Sequence, residues 1–350
     1  MTRAQQPTDE SPPNHEGEEG PSFVERVRGQ GERVHIPLGE RCNNNCLFCM
    51  EEDRAARARV NGAMTAERVR WIIERHRGAE ELCFTSGEPS LHPRLPEFVR
   101  WCREAGYRKV SLMTNGRRFG YPPYAAALVR AGLNRVYVSI HGHHAALHDG
   151  LTRTPGSYEQ TVAGLRVAAS LRERGVELHS STVVTRRNVS SLLEIYEMLV
   201  ELGVQQVVFN ALQVNGGTAT HFERLVPRYG EIRVQFDRLL REAHDGGHRA
   251  FLVDVPPCIS EGIPDRNRGF MEQRVHYEAE IPDISPPGAT TCEGSDGVRS
   301  ISTQNLDDAF RAFGPDCGRC RYRSLCSGVY QRYAQAHGWD EFRPVSDGDG

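Results

Sequence analysis

Val34-His35-Ile36-Pro37-Leu38-Gly39-Glu40-Arg41-Cys42-Asn43-Asn44-Asn45-Cys46-Leu47-Phe48-Cys49 joins a short run of strand character, Val34–Leu38, to a loop carrying three cysteines. A β/α fold does its chemistry on loops at the carboxyl ends of its strands, so this junction places three thiols at such a mouth. The count of three matters. A purely electron-carrying [4Fe-4S] cluster takes four thiolates, one per iron. Three leave one iron open to a small molecule, as an open catalytic metal site keeps a free position. Read alone, the same cysteines also suit a structural zinc knuckle.

Outward from this loop, strand-like runs recur at Glu81–Thr85, Lys109–Thr114, Arg135–Ile140, Glu177–Thr185, Gln205–Asn210 and Ala250–Val255. Helical periodicity fills the gaps over Thr65–Arg77, Leu95–Ala105, Tyr124–Ala131, Tyr158–Arg174, Val189–Leu202 and Tyr229–Ala243. Gly106, Gly132, Gly175 and Gly203 fall just past four of these helices, where left-handed C-terminal caps return the chain to a strand. The repeat of helix, cap and strand predicts an α/β fold, a partial (β/α)6-type barrel over 31–255, with a doubly wound open sheet as the alternative. Beyond Val255 the periodicity fails and Pro, Gly, Asp and Cys increase. Residues 256–338 are therefore expected to form a small loop-rich unit organised by metal. Residues 1–30, polar and Pro/Gly-rich, are expected to be a disordered tail, and 339–350 a flexible one.

Composition narrows the partners. A formal charge of −3 over 350 residues gives no basic field for nucleic acid or an anionic membrane. No apolar stretch reaches membrane-spanning length and no signal-peptide layout is present, so a cytoplasmic protein is expected. Ten cysteines in such a chain point to metal or redox chemistry rather than disulfides. Cys83 and Cys102 sit inside apolar patterns and read as small core residues.

The C-x3-C-x2-C spacing of Cys42, Cys46 and Cys49, with Phe48 before the last, resembles the defining motif of the radical S-adenosylmethionine (SAM) superfamily. Three further stretches carry the resemblance, each at the end of a successive strand. Ser86-Gly87-Glu88-Pro89 is similar to the family's GGEP motif, with Ser86 replacing the first glycine. Thr114-Asn115-Gly116 and Val138-Ser139-Ile140-His141-Gly142 resemble its T-N-G and V-S-x-D/H-G stretches. The resemblance implies that a [4Fe-4S] cluster on the three cysteines binds SAM through its open iron and cleaves it to a 5′-deoxyadenosyl radical. It implies SAM contacts from Phe48 and from Ser86, Gly87, Glu88 and Pro89, the last group meeting the amino end. It places Thr114, Asn115 and Ser139 against the carboxylate and ribose, with Arg153 as a partner for the carboxylate. It also implies a flavodoxin- or ferredoxin-like electron donor. His141, His143, His144 and His148 are close in sequence, but they are expected to be pocket-wall or surface groups rather than metal ligands.

Near the end, Cys317-Gly318-Arg319-Cys320 and Cys326 form a C-x2-C-x5-C run resembling SPASM and Twitch auxiliary-cluster domains, though position 330 is Tyr330 rather than another cysteine. One Twitch-like [4Fe-4S] cluster on Cys258, Cys317, Cys320 and Cys326 is expected, with Cys292 in reserve and structural zinc as the alternative. The resulting reading is an enzyme acting on a small molecule or a peptide. The competing one is a non-enzymatic iron–sulfur electron carrier or a zinc-organised binding protein.

Overall fold

The computed structural model describes residues 33–39, 41–49, 65–214, 216–244, 249–269, 275–279, 291–293, 299–302 and 310–346. The expected 1–30 tail lies outside them. Seven parallel strands follow in order: β1 (Arg33–Pro37), β2 (Glu81–Thr85), β3 (Lys109–Thr114), β4 (Arg135–Ser139), β5 (Glu177–Val184), β6 (Gln206–Ala211) and β7 (Ala250–Val253). Each pairs with its sequence neighbour in parallel. Between them run helices α1 (Ala66–Arg75), α2 (Leu95–Glu104), α3 (Pro122–Ala131), α4 (Ala145–Thr152), α5 (Ser157–Ser170), α6 (Leu192–Glu201), α7 (Gly216–Thr220) and α8 (Tyr229–Glu242). This is a partial β/α barrel whose parallel strands run in the order β7 to β1.

Alternation within the strands sorts the two faces. Val34, Ile36, Leu82, Phe84, Val110, Leu112, Val136, Val138, Leu178, Val207 and Phe209 are fully buried against the helices. At about 25 cal/mol per Å2 of apolar surface, each such side chain stabilises the sheet–helix layer by roughly 1.5–3 kcal/mol. Helix boundaries follow from local chemistry. Thr65 caps α1 by accepting from Arg68 N (3.3 Å), and Pro122 opens α3 where its missing N–H costs nothing. Gly106, Gly132, Gly175 and Gly203 all take positive φ, as their positions past the helices require. Cys83 and Cys102 are fully buried.

The opposite face, toward the barrel axis, is polar at its amino-terminal end. Arg135 donates to Glu81 (2.6 Å) and Glu177 (2.7 Å), and Arg33 to the Tyr137 hydroxyl (2.7 Å), which itself donates to Glu81 (3.2 Å). Burial alone would raise the Glu81 carboxyl, but the Arg33 and Arg135 guanidinium groups hold it below its ordinary value. His35 and His179 lie in the same buried layer, lowered by burial to about 3 and about 4. The pairs therefore close the barrel floor with charges that neutralise one another, an arrangement that fixes geometry more than it adds stability.

Two expectations about the C-terminal part change. Within 256–338, β8 (Val275–Ala279) pairs in parallel with β1, and β10 (Arg299–Ser302) and β9 (Thr291–Glu293) extend the sheet antiparallel from it. These three strands were not foreseen, because they are short and separated by Pro- and Gly-rich sequence. Residues 339–346, expected to belong to a flexible tail, are docked. Phe342 and Val345 are buried, and Glu341 accepts from Gly230 N (2.9 Å) and the Tyr333 hydroxyl (2.5 Å). The anchoring helix, α9 (Gln331–His337), carries Tyr333. No helix among the described residues is long and apolar enough to cross a membrane.

Candidate active site

The cysteine loop leaves β1 at the carboxyl end of the sheet and is gripped on two sides. Asn45 N donates to Thr152 O (2.9 Å) and Leu47 N to Leu151 O (3.0 Å), both at the end of α4. From the other side Gly217 N, in α7, donates to Cys49 O (2.9 Å), and Thr218 Oγ1 to Phe48 O (3.4 Å). A Cβ on Gly217 would sit 2.7 Å from Leu47 O, so only glycine permits that approach. The three thiols are half-buried, and Asn44 N donates to Cys42 Sγ (3.4 Å). Burial pushes the Cys46 thiol up to about 12, with the neighbouring charges of Cys42 and Cys49 adding to it. Its own backbone N–H and the Arg153 guanidinium act the other way.

Among the described residues no group of His, Cys, Asp or Glu converges tightly enough for a single metal ion. One Zn2+ draws all its sulfurs to about 2.3 Å from one point, whereas a cubane takes each thiolate on a different iron. Three neighbouring thiols on one loop, with an N–H aimed at a sulfur, are a donor set that a cubane with one thiolate per iron could use.

Glu88 is the hub of the mouth. Its Oε1 accepts from Thr114 Oγ1 (2.6 Å) and Ser90 N (3.1 Å), and its Oε2 from Asn115 N (2.7 Å). Burial raises its carboxyl, while these hydrogen bonds favour the anion. Its backbone N–H reaches Arg41 O (2.7 Å), tying β2's loop to the cysteine loop. Asn115 Nδ2 continues the chain of contacts to Asn43 Oδ1 (2.6 Å). Thr114 and Asn115 thus meet Glu88 and the cysteine loop. Arg153, in the left-handed region at φ +49°, donates to Asn45 O (2.6 Å) and Asn45 Oδ1 (3.0 Å). Ser139 ends β4 half-buried. A cleft of about 280 Å3 opens beside Leu38, Gly39, Arg41, Ser86 and Glu88.

Ser86 adopts φ +68°. A non-glycine residue there costs about 1–2 kcal/mol, against about 0.5–1 kcal/mol of extra chain entropy for glycine. Ser86→Gly is accordingly expected to stabilise the fold by about 0.5–1 kcal/mol, measurable by urea titration. Destabilisation would show that the Ser86 side chain contributes a contact of its own.

A second set of thiols lies on the C-terminal side. Cys258, just after β7, is pushed up to about 12 by burial, with the charges of Cys326, Cys320 and Cys317 adding to it. Val345 N donates to Cys320 Sγ (3.5 Å) and Gly328 N to Cys326 Sγ (3.3 Å). Of Cys292 only its backbone, within β9, is described.

Several supports were not foreseen. Arg117 donates to Asn44 Oδ1 (2.9 Å), Asn43 O and Gln160 Oε1 (2.7 Å), clamping the cysteine loop to α5. Asp149 accepts from Gly156 N (2.7 Å), Ser157 Oγ (2.8 Å) and Tyr158 N (2.8 Å), and so builds the start of α5. The triple Asn43-Asn44-Asn45 was the available signal, since short amides inside a loop bond to nearby polar groups.

Comparison with known proteins agrees with this geometry. A family model described as the radical SAM superfamily matches residues 36–199. A probable GTP 3′,8-cyclase of Metallosphaera sedula is 30% identical over 230 residues, 63% of this chain and 70% of that protein. An AdoMet-dependent heme synthase of Methanosarcina barkeri is 32% identical over 164 residues, 46% of this chain and 45% of the relative, so the chain spans under half of it. Among solved structures, anSMEcpe with bound AdoMet superposes with a TM-score of 0.58 at 16% identity, covering 90% of this chain and 92% of that one. Streptococcus suis SuiB bound to S-adenosylmethionine gives 0.58 at 16% identity, covering 90% and 76%. These two show a shared fold. With the cysteine loop at the strand ends and this match to the cyclase, the chain belongs to the radical SAM superfamily and is an enzyme of that family.

Proposed function

We propose that Cys42, Cys46 and Cys49 hold a [4Fe-4S] cluster by three of its irons and that SAM is seated beside it at the strand ends. The observation that carries this is one loop of three neighbouring thiols, braced by α4 and α7 and keyed to Glu88 through Arg41 and Asn43. When bound, the cluster supplies the electron that cleaves SAM to methionine and a 5′-deoxyadenosyl radical, which takes a hydrogen atom from the substrate. The chain's own residues do the positioning. Glu88, a buried carboxylate hydrogen-bonded by neutral donors, suits a cationic ammonium such as SAM's amino group. Ser86 and Pro89 line the same cleft, and Gly87, Phe48 and Ser139 complete the SAM contacts. Thr114 and Asn115 face the carboxylate and ribose of SAM and also brace Glu88, and Arg153, held to Asn45, pairs with the carboxylate. The closed floor and apolar outer layer exclude water from below.

Cys258, Cys317, Cys320 and Cys326 would hold one auxiliary [4Fe-4S] cluster, a reading supported by their mutual influence on Cys258 and by the N–H groups aimed at two sulfurs. Residues 31–255 form the SAM-binding unit and 256–338 carry the auxiliary ligands. A flavodoxin- or ferredoxin-like protein supplies electrons, and the substrate is a small molecule or a peptide. The test is metal analysis of anaerobically purified chain, followed by dithionite and SAM. About eight irons with matching sulfide and release of 5′-deoxyadenosine are expected. Zinc without visible absorption, or iron without SAM cleavage, would overturn the proposal.

A further inference from the structure

We propose that His141 is a positioning residue of the SAM site, holding Phe48 in the wall of the mouth while His148 fixes it from behind. The inference rests on the radical SAM reading above. His141 follows β4 and is 4% exposed. Its Nδ1 accepts from Val183 N (3.2 Å), its carbonyl accepts from Asn188 Nδ2 (3.0 Å), and its own N–H donates to His148 Nδ1 (3.1 Å). A ring that accepts on Nδ1 carries its proton on Nε2, so both histidines are neutral and of one tautomer. Their rings lie parallel, 7° apart in plane and 5.7 Å between centroids. The Phe48 ring meets His141 edge to face at 4.7 Å and 76°.

The local sequence explains how this stack forms. A Cβ on Gly142 would lie 2.8 Å from His148 N, so only glycine lets the first turn of α4 fold back and bring His148 beside His141. His148 is fully buried, with its Nε2 making no hydrogen bond among the described residues. The same α4 ends in the two carbonyls that grip the cysteine loop. Phe48 is thus held twice, its carbonyl by Thr218 and its ring by a histidine locked to the β5 backbone. A ring so anchored cannot turn without breaking its bond to Val183, and the aromatic contact keeps one geometry.

Two substitutions separate the parts of this arrangement. His141→Asn keeps an acceptor for Val183 N–H and removes the ring, whereas His141→Phe keeps a ring and removes the acceptor. In the reconstituted full chain, His141→Asn is expected to retain iron content and melting temperature but to raise Kd and KM for SAM about three- to tenfold, with kcat at saturating SAM little changed. His141→Phe is expected to melt earlier yet bind SAM nearly as wild type does. Equal SAM affinity in wild type and His141→Asn, or equal losses in the two variants, would overturn the inference. In the metal-free chain, 15N spectra should report both rings as Nε2–H tautomers, and an Nδ1–H signal from either would overturn the arrangement itself. A wild-type chain that takes up iron but binds no SAM would instead sink the underlying functional reading.

Discussion

Alanine at Cys42, Cys46 or Cys49 is expected to reduce 5′-deoxyadenosine formation below detection while leaving the fold in place. The three thiols are the whole of the donor set on that loop, and losing one leaves two attachments for a cluster that then has no protected geometry. The loop does not depend on them for its shape. Asn45, Leu47 and Gly217 hold it through backbone hydrogen bonds, and Arg117 and Arg153 clamp it through carbonyls and amides. The thiols are only half-buried, so each metal-free variant should unfold within about 1 kcal/mol of the metal-free parent. Circular dichroism and urea titration check the fold, and product chromatography checks the chemistry. Cys320→Ala provides the contrast. Its sulfur accepts from Val345 and packs beside Tyr322 and Leu325, so its loss should disturb the C-terminal segment and turnover while sparing SAM cleavage. Cleavage surviving in a Cys46→Ala protein would remove the loop from the chemistry.

Glu88→Gln is expected to destabilise the protein by about 2–3 kcal/mol and to weaken SAM binding more than tenfold. The carboxylate accepts at both oxygens, from Thr114 and Ser90 on one and from Asn115 on the other. A glutamine must turn its NH2 toward one side, and on either side a backbone N–H already points at it. The removal of a buried charge offsets part of this cost, which keeps the figure below the sum of the lost bonds. The T-N-G loop then loses its anchor to the β2 end, and with it the registry between Asn115 and the cysteine loop. Thermal melting and equilibrium dialysis with SAM read the two effects separately. Unchanged affinity with reduced stability would mean that Glu88 builds the mouth without facing the ligand.

Much of the scaffold was legible because it is written in short-range patterns. The alternation in Val34–Leu38 and the glycines after α2, α3 and α6 each act through neighbouring residues, and seven strands appeared where those patterns put them. The cysteine loop was legible for the same reason, since its chemistry lies in eight consecutive residues, Cys42 to Cys49. The support that Thr114 and Asn115 give to Glu88 was not. Thr114 donates from its hydroxyl and Asn115 from its backbone N–H, contacts that only the meeting of β2, β3 and the cysteine loop creates. The same holds for Arg153, which bonds to a residue 108 positions away. The strands β8 to β10 escaped notice because pairing across the chain outweighs weak local propensity in so short a segment.

The bed of paired charges beneath the strands has a consequence for the loops above it. Arg33, Glu81, Arg135 and Tyr137 knot the first residues of β1, β2 and β4 together at the end away from the cysteines. Each strand is a stiff rod, so a foot fixed in this way sets the height at which its far end delivers its loop. A change among these four residues would therefore be felt at the mouth as a shift of strand against strand, without any contact between the two ends.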